Sequence, residues 1–437
     1  MLHLGALLYP TGYHVAAWRL ADVEAHSGFD PCNFLQIAKL AESALFDFVF
    51  LPDSLAMRGD DLESLSQSAI RYVAQLEPMT LISAMAAVTN RIGLVASAST
   101  TYTHPFHLAR AFASLDHISA GRAGWNLVTS QNAWEAQNFG QSEHPNHASR
   151  YERATEFTEV VLKLWNSWDA DAFVNDRKAG RYFDPRKVRP AHHRGAHFEV
   201  RGPLHVPRCP QGRPIIFQAG SSKPGMELAG KFADVVFTAQ DNLEDAKAFR
   251  SEIRDRAAAS GRNPESIKVM PGLMPILDIT DQSAQAKFNA LQELIDPVTG
   301  LSLLEGQLGE VDLSSLALDE PMPETLASTN ASKSRQTHLL KTAQRDGLSL
   351  RDLYRHVASS RGHKLFVGTP HSLVDLMQEW HEEGAADGFT IIPAALPESL
   401  RTFVDLCNPE LQKRKLTRTA YRSATLRDHL GIPPARW

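Results

Sequence analysis

The stretch GRAGWNLVTS, residues 121–130, combines the composition of a short buried strand with a polar end. A parallel strand that only packs is filled with Val, Ile and Leu, because helices cover both faces of the sheet. Here Asn126 follows a tryptophan, and Thr129 and Ser130 close the run. We therefore expect this strand to carry polar groups for a purpose other than packing.

Short apolar runs alternate with amphipathic helical patterns on both sides of this stretch, which is typical of strand–helix units and a parallel sheet. The predicted strands are 3–9, 46–52, 91–99, 125–129, 213–222, 234–239, 267–277 and 388–394. Eight such units predict an α/β fold, a TIM (β/α)8 barrel with insertions. The competing doubly wound sheet normally has a G-x-G-x-x-G turn after its first strand, and LLYPTGYH lacks one.

Two segments, 169–211 and 296–360, interrupt the repeat and are interpreted as insertions in one domain spanning 1–437. The first contains HFEVRGPLHV, residues 197–206, which suggests a hairpin. The second is Ser/Thr-rich at ETLASTNASKSRQT, and its apolar periodicity looks too weak to order it. We expect it to form a mobile lid over the carboxyl ends of the strands.

Composition excludes several classes of function. The 45 basic and 50 acidic side chains give a net charge of −5, without the basic tract that typically binds nucleic acid. No apolar run is long enough to span a bilayer, and the first residues do not resemble a signal peptide. The three cysteines are widely spaced and offer no disulfide framework, so we expect a cytoplasmic protein.

Polar residues cluster where the predicted strands end, which is where active sites of such barrels lie. They include Asp53, Thr100, Thr101, Asn126, Ser221 and Ser222. Helix capping is the ordinary role of such residues, but a whole ring of them favours a binding site. The QAGSS turn can present backbone N–H groups to an anion, and His147, Arg150 and Tyr151 precede the fourth predicted helix. We expect the Asn126 amide to be exposed at its strand end.

Other catalytic machinery is missing from the sequence. It has no G-x-S-x-G elbow, no Walker loop and no H-E-x-x-H. The pairs His104/His107 and His144/His147 leave a metal-dependent TIM-barrel hydrolase open as an alternative. Hydroxyls, amides and an anion-binding turn fit a phosphorylated cofactor better, and the cofactor would then supply the difficult chemistry.

Several separated motifs together resemble the flavin-dependent monooxygenases of the bacterial luciferase superfamily. Within it, they are most similar to the branch containing the nitrilotriacetate, dibenzothiophene-sulfone and pristinamycin synthase monooxygenases. The motifs are HPFHLARAFASLDHISAGRAGWNLVTS, NFG, RYERATEF, PIIFQAGSS, GAADGF and LCNPELQKRKLTRTAYRSATLRDHLG. The resemblance runs from the first strand to TLRDHLG near the C-terminus.

The resemblance implies a two-component monooxygenase that uses reduced FMN and O2 on an amine, a sulfur compound or a xenobiotic. A separate NAD(P)H:flavin reductase would supply the FMNH2, and the enzyme would be a homodimer or homotetramer. The family pattern places Asp53, Thr100, Thr101 and Asn126 at the flavin ring. It makes His147 and Tyr151 a flavin-contacting pair, places Tyr151 and Arg150 toward the phosphate, and assigns the phosphate turn to Ser221 and Ser222. It names no catalytic residue. A non-catalytic flavin-binding protein remains a further alternative.

Overall fold

The computed structural model describes residues 1–437 except 25, 68, 70, 309–310, 324–325, 327–332 and 436–437. Its strands are β1 (His3–Leu7), β2 (Phe48–Leu51), β3 (Gly93–Ser99), β4 (Ala123–Val128), β5 (His193–Arg194), β6 (Glu199–Val200), β7 (Ile215–Gln218), β8 (Val235–Thr238), β9 (Lys268–Leu277), β10 (Lys364–Gly368) and β11 (Gly388–Ile391). Its helices are α1 (Pro31–Ser43), α2 (Leu62–Ser66), α3 (Pro78–Val88), α4 (Pro105–Ile118), α5 (Glu135–Asn138), α6 (His147–Trp165), α7 (Lys223–Phe232), α8 (Leu243–Ala259), α9 (Asp281–Glu293), α10 (Pro297–Leu308), α11 (Lys333–Asp346), α12 (Leu350–Ser360), α13 (Pro370–Glu382), α14 (Glu398–Leu406), α15 (Asn408–Lys413) and α16 (Leu426–His429).

Eight parallel strands form a closed ring in the order β1, β2, β3, β4, β7, β8, β9, β11, and β11 pairs again with β1. The predicted TIM barrel is confirmed. β10 is an additional parallel strand, which pairs outside the ring with the second half of β9. It was not predicted, because HKLFVG follows the second insertion and its apolar run is short.

The side chains of β4 show which face of the barrel each residue occupies. Trp125 lies outside, packed against Phe112 of α4 and against Phe157 and Trp165 of α6. Successive side chains of a strand point to opposite faces, so Asn126 faces the barrel interior. The interior below it is filled by an apolar cluster that includes Phe48, Phe50, Val95, Phe217 and Met270.

Helix α6 begins six residues before the predicted start at 153, and the cause is a capping side chain. Asn146 accepts a hydrogen bond from the backbone N–H of Ser149 at 2.9 Å, which satisfies a free donor of the first turn. His147, Arg150 and Tyr151 therefore lie on the first turns of α6 and not in a loop before it.

The first insertion contains the predicted hairpin, but centred earlier in the chain. β5 and β6 pair antiparallel, with His193 opposite Val200, so the turn lies at 195–198. Glu156 of α6 fixes this turn, because its carboxylate accepts hydrogen bonds from the N–H groups of His197 and Phe198 at 2.9 Å. These hydrogen bonds attach the hairpin to α6.

The expectation that residues 296–360 cannot order themselves is wrong for the residues that the structure describes. α10 and α12 pack together, and α12 is amphipathic: Leu350, Leu353, Tyr354 and Val357 recur at helical spacing and are buried. These side chains belong to a separate apolar cluster that also contains Val15 and Ala16, which follow β1. Within the Ser/Thr-rich run, 324–325 and 327–332 lie outside the described residues.

Among the helices described, none is both long and apolar enough to cross a membrane.

Candidate active site

Asn126 occupies the interior of the barrel near the carboxyl end of β4, and one of its two polar atoms has no partner. Its Nδ2 donates to Ser97 Oγ at 2.9 Å, across the β3–β4 pairing. Its Oδ1 is buried and accepts no hydrogen bond, and the residue is only 3 % exposed. The expectation of an exposed amide is therefore wrong, because the side chain points inward from the strand. A buried carbonyl oxygen without a donor is costly, which points to a ligand that supplies one.

The ends of β3 and β4 are joined by a hydroxyl network that contains two of the predicted residues. Thr100 is fully buried, and its N–H donates to the carbonyl of Val128 at 2.9 Å. Thr101 Oγ1 donates to the carbonyl of Thr129 at 3.0 Å, and its N–H donates to Ser99 Oγ. These contacts prolong the β3–β4 pairing beyond the strands and make a rigid wall beside Asn126.

Asp53 follows β2 on the same rim and is held in a partly buried, acidic environment. Gln75 Nε2 donates to its Oδ1 at 2.8 Å. Burial, together with the charges of Glu77 and Glu135, raises the pKa of the Asp53 carboxyl to about 6, so it takes up a proton more readily than an ordinary aspartate.

The segment after Asp53 is hydrogen-bonded to the segment after β4. Ser54 Oγ donates to Glu135 Oε1 at 2.9 Å, and Asn132 Nδ2 donates to Ser54 Oγ at 3.1 Å. Sequence reasoning missed Glu135 and Asn132, because they lie in and just before the short helix α5, where no motif marks them. The contacts place Asp53 on the same side of the barrel mouth as β4.

The turn between β7 and α7 is compact because two glycines meet. A Cβ on Gly225 would lie 3.0 Å from Gly220 Cα, and a Cβ on Gly220 would lie 2.4 Å from Gln218 Nε2 and 3.2 Å from Tyr151 Oη. The phenol of α6 and the turn after β7 are thus neighbours, as the sequence predicted. Ser222 is the N-cap of α7, accepting a hydrogen bond from the N–H of Gly225 at 3.3 Å, and Ser221 is exposed.

The remaining two predicted residues, His147 and Arg150, lie on the first turns of α6. His147 is exposed, and its ring contacts Tyr151 with a centroid distance of 4.8 Å. Arg150 donates to the carbonyl of Pro145 at 2.7 Å, while its buried Nε has no partner. Tyr151 therefore connects α6 with the turn after β7, and the His147 ring packs against the Tyr151 ring.

The opposite side of the mouth contains aromatic and cationic residues that the sequence did not reveal. Tyr9 and Tyr13 follow β1, and their rings lie 5.1 Å apart in an edge-on arrangement. Tyr9 Oη lies 2.9 Å from the hydroxyl of Tyr72, and the Arg361 guanidinium lies 4.1 Å from the Tyr13 ring centroid. No local pattern could predict this cluster, because Tyr13 and Arg361 are 348 positions apart.

Two buried histidines complete this side of the mouth. His363 stacks on Phe237 of β8 with centroids 5.0 Å apart, and its Nδ1 lies so close to Gly272 that a Cβ there would approach it to 2.4 Å. Burial, reinforced by the charge of Arg361, lowers the pKa of both His14 and His363 to about 3. Both imidazoles are therefore neutral at physiological pH.

Metal ligands do not assemble at the predicted histidine pairs. Across the described part of the chain, no group of three or more His, Cys, Asp and Glu side chains is arranged to hold a metal ion. His104 caps α4, where it accepts a hydrogen bond from the N–H of Phe106, and His144 Nδ1 lies 2.7 Å from the Tyr102 hydroxyl.

The residues present fit FMN. The unpartnered Asn126 Oδ1 suits an N–H of an isoalloxazine ring. The turn at Gly220 leads into the N-terminus of α7, where backbone N–H groups and the helix dipole favour a phosphate. Tyr151 Oη lies beside that turn as a further donor.

The raised pKa of Asp53 predicts a measurable dependence of stability on pH. The folded state binds a proton on Asp53 up to about pH 6, whereas the unfolded chain releases it near 3.8. The wild type therefore loses stability as pH rises through this window, and Asp53→Asn does not. Urea unfolding gives the free energy of unfolding of each protein. The value for Asp53→Asn minus the value for wild type should be larger at pH 8 than at pH 4. A difference that is the same at both pH values would contradict the assignment.

Comparison with known proteins identifies the family. Residues 11–387 match the family model described as luciferase-like monooxygenase. The chain is 48 % identical to N-acetyl-S-(2-succino)cysteine monooxygenase of Bacillus subtilis (strain 168), covering 99 % of this chain and 96 % of that one. It is 45 % identical to nitrilotriacetate monooxygenase component A of Aminobacter aminovorans, with the same coverage. A solved structure of riboflavin lyase, with modified FMN and riboflavin, is 31 % identical with a TM-score of 0.86, covering 99 % of this chain and 96 % of that one.

These similarities confirm the predicted branch and the predicted enzyme class, an FMNH2-dependent monooxygenase that uses O2. They favour this function over the metal-dependent hydrolase and the non-catalytic flavin-binding protein. The matches also extend over nearly the whole length of both relatives. The chain belongs to the luciferase-like monooxygenases.

Proposed function

We propose that this chain is the oxygenase component of a two-component system, in which a separate NAD(P)H:flavin reductase delivers reduced FMN. The observation that carries the proposal is the buried Asn126 Oδ1, unpartnered inside the barrel mouth and next to a rigid hydroxyl wall. The names of the similar proteins support the oxygenase role, and one of them is itself a component A.

The proposal assigns two parts of the rim to FMN. Asn126 receives the isoalloxazine ring, with Thr100 and Thr101 as its wall and Asp53 at its edge. The phosphate lies at the turn formed by Ser221 and Ser222, with Arg150 and Tyr151 as donors and His147 supporting Tyr151. When bound, reduced FMN would supply the two electrons for the reaction with O2, so that one oxygen atom goes to the substrate and the other leaves as water. The protein residues hold and orient the ring and exclude water from it.

The substrate is proposed to be a small organic molecule with an amine or thioether nitrogen or sulfur. The two similar proteins are named for one molecule of each kind, nitrilotriacetate and N-acetyl-S-(2-succino)cysteine. A single domain over residues 1–437, a homodimer or homotetramer and a cytoplasmic location are further parts of the proposal. The three cysteines are free thiols, which supports the location.

The activity is tested by supplying each component separately. We expect the purified chain to consume NADH no faster than buffer, because a dinucleotide fingerprint is absent from its sequence. With FMN, NADH, O2 and a generic flavin reductase, mass spectrometry of a substrate panel should find a gain of one oxygen atom or a cleaved fragment. Rapid NADH oxidation by the chain alone would contradict the two-component assignment.

The role of Asn126 is tested by comparing two variants that lose the same internal hydrogen bond. Asn126→Ala removes Oδ1 together with the bond to Ser97, whereas Ser97→Ala removes only the bond. One lost hydrogen bond to the ring should weaken FMN binding roughly three- to tenfold in Asn126→Ala. Fluorescence titration should find the affinity of Ser97→Ala within about twofold of wild type on the same scale. Equal effects in both variants would place the ring elsewhere.

The phosphate site is tested by the ratio of FMN affinity to riboflavin affinity. Riboflavin lacks the phosphate, so donors to the phosphate contribute only to FMN. Tyr151→Phe combined with Ser222→Ala should lower the ratio about tenfold or more, since hydrogen bonds to charged groups are strong. Riboflavin affinity serves as the internal control, because loss of the Ser222 cap affects both ligands alike. An unchanged ratio would show that the phosphate lies away from this turn.

A further inference from the structure

Two arginines project at the barrel mouth without an acidic partner. Within the described ranges, neither Arg58 nor Arg361 has a carboxylate oxygen within 4.0 Å. Some arginines of the barrel are paired, since Arg213 lies 2.6 Å from Asp234 and Arg250 lies 2.7 Å from Asp387, whereas the buried Arg122 donates to carbonyl oxygens and a hydroxyl. Two cations beside the same aromatic cluster and without an ion-pair partner suggest a ligand that neutralises them.

Arg361 reaches the mouth from the end of α12. Its guanidinium lies over the Tyr13 ring at 4.1 Å and the Tyr9 ring at 5.5 Å, and its Nη2 donates to the carbonyl of Tyr13 at 2.9 Å. Its Nε is buried and unpartnered. These contacts fix the plane of the guanidinium and leave donors available, which is the arrangement needed to bind a carboxylate with two hydrogen bonds.

Arg58 reaches the same mouth from the segment after β2, five residues beyond Asp53. Its guanidinium lies 5.0 Å from the Tyr72 ring centroid, and its side chain is exposed. Tyr72 in turn contacts the Tyr9 hydroxyl at 2.9 Å, so the aromatic cluster connects Arg58 with Arg361.

In the described part of the chain, the groups around the two arginines form no ion pair with them. His14 and His363 are neutral, and burial raises the pKa of the Tyr13 hydroxyl to about 12, so it remains a phenol. Glu135 is close enough for its charge to act on Arg58, but it accepts a hydrogen bond from Ser54 and forms no ion pair with the arginine. The cluster therefore combines two cations with phenol donors.

We propose that this cluster is the substrate's anchoring site and that the substrate carries at least two carboxylates, one bound by Arg58 and one by Arg361. The inference rests on the proposed function and deepens it. The flavin residues assigned above follow β2, β3, β4 and β7, whereas the anchoring residues follow β1 and β2 and α12. A polycarboxylate anchored there faces the ring across the mouth, and its reacting nitrogen or sulfur lies between its carboxylates and the flavin.

Binding is tested without turnover, using succinate, tricarballylate and citrate and the methyl esters of all three. Calorimetric titration of the FMN-loaded protein at constant ionic strength should detect at least one free acid and none of the esters. Arg58→Gln and Arg361→Gln should each weaken binding of that acid at least about tenfold, since each removes a charge-assisted contact. Arg58→Lys and Arg361→Lys keep the charge and should restore part of the affinity.

The matched control is Arg194→Gln, which removes an exposed arginine from the hairpin of the first insertion. It should leave both carboxylate and FMN binding within about twofold of wild type on the same titration scale. Melting temperatures of all variants identify any that fail to fold. Where a glutamine variant fails to fold, carboxylate binding by the corresponding lysine variant is compared with wild type instead.

Each outcome decides between the two proposals. Failure of all three free acids to bind, equal binding of the esters, or arginine variants that bind like wild type would overturn the anchoring site while FMN binding stands. Arginine variants that lose FMN affinity instead would also overturn it, since they would belong to the phosphate site. If FMN does not bind the wild type, the proposed function is overturned. The anchoring site can then still be tested by measuring carboxylate binding to the FMN-free protein.

Discussion

Backbone hydrogen bonding around a closed ring of parallel strands is the constraint on which the whole structure depends. β1 pairs with both β2 and β11, and β9 closes the circle by pairing with β8 and β11. Because the eight strands run in the same direction, every segment that follows a strand emerges at one rim. Residues that are hundreds of positions apart in the chain thus become neighbours, and the interior below them is sealed by large apolar side chains.

The rim has two sides that are joined by one short segment. Asp53 and Ser54 contact the β4 side through Gln75, Glu135 and Asn132, while Arg58 a few residues later joins the tyrosines on the β1 side. A shift of this segment would therefore displace the proposed flavin site and the proposed anchoring site together. Rigidity here has the further effect of keeping Asp53 partly buried, which is why the pKa of its carboxyl is raised.

The eight strands of the ring and the polar end of β4 could be predicted from the sequence, because short apolar runs and polar strand ends are local signals. The direction of the Asn126 side chain was misjudged, since it depends on which neighbour, Trp125, packs against the helices. The start of α6 depended on a single cap, Asn146, in a stretch rich in polar residues. The arginine–tyrosine cluster was beyond prediction, because only the closed barrel brings Arg361 to Tyr13.

The helices of the second insertion have a consequence for how such an enzyme can change. Their apolar cluster rests on Val15 and Ala16, and their last residue precedes Arg361, yet Asn126, Thr100 and the turn at Gly220 belong to other elements. Arg361 is thus encoded in a block apart from the proposed flavin residues, whereas Arg58 shares its segment with Asp53. Grafting residues 296–363 from a relative, with the positions that touch Val15 and Ala16 matched, would therefore exchange one of the two proposed anchors while leaving the proposed flavin residues unchanged.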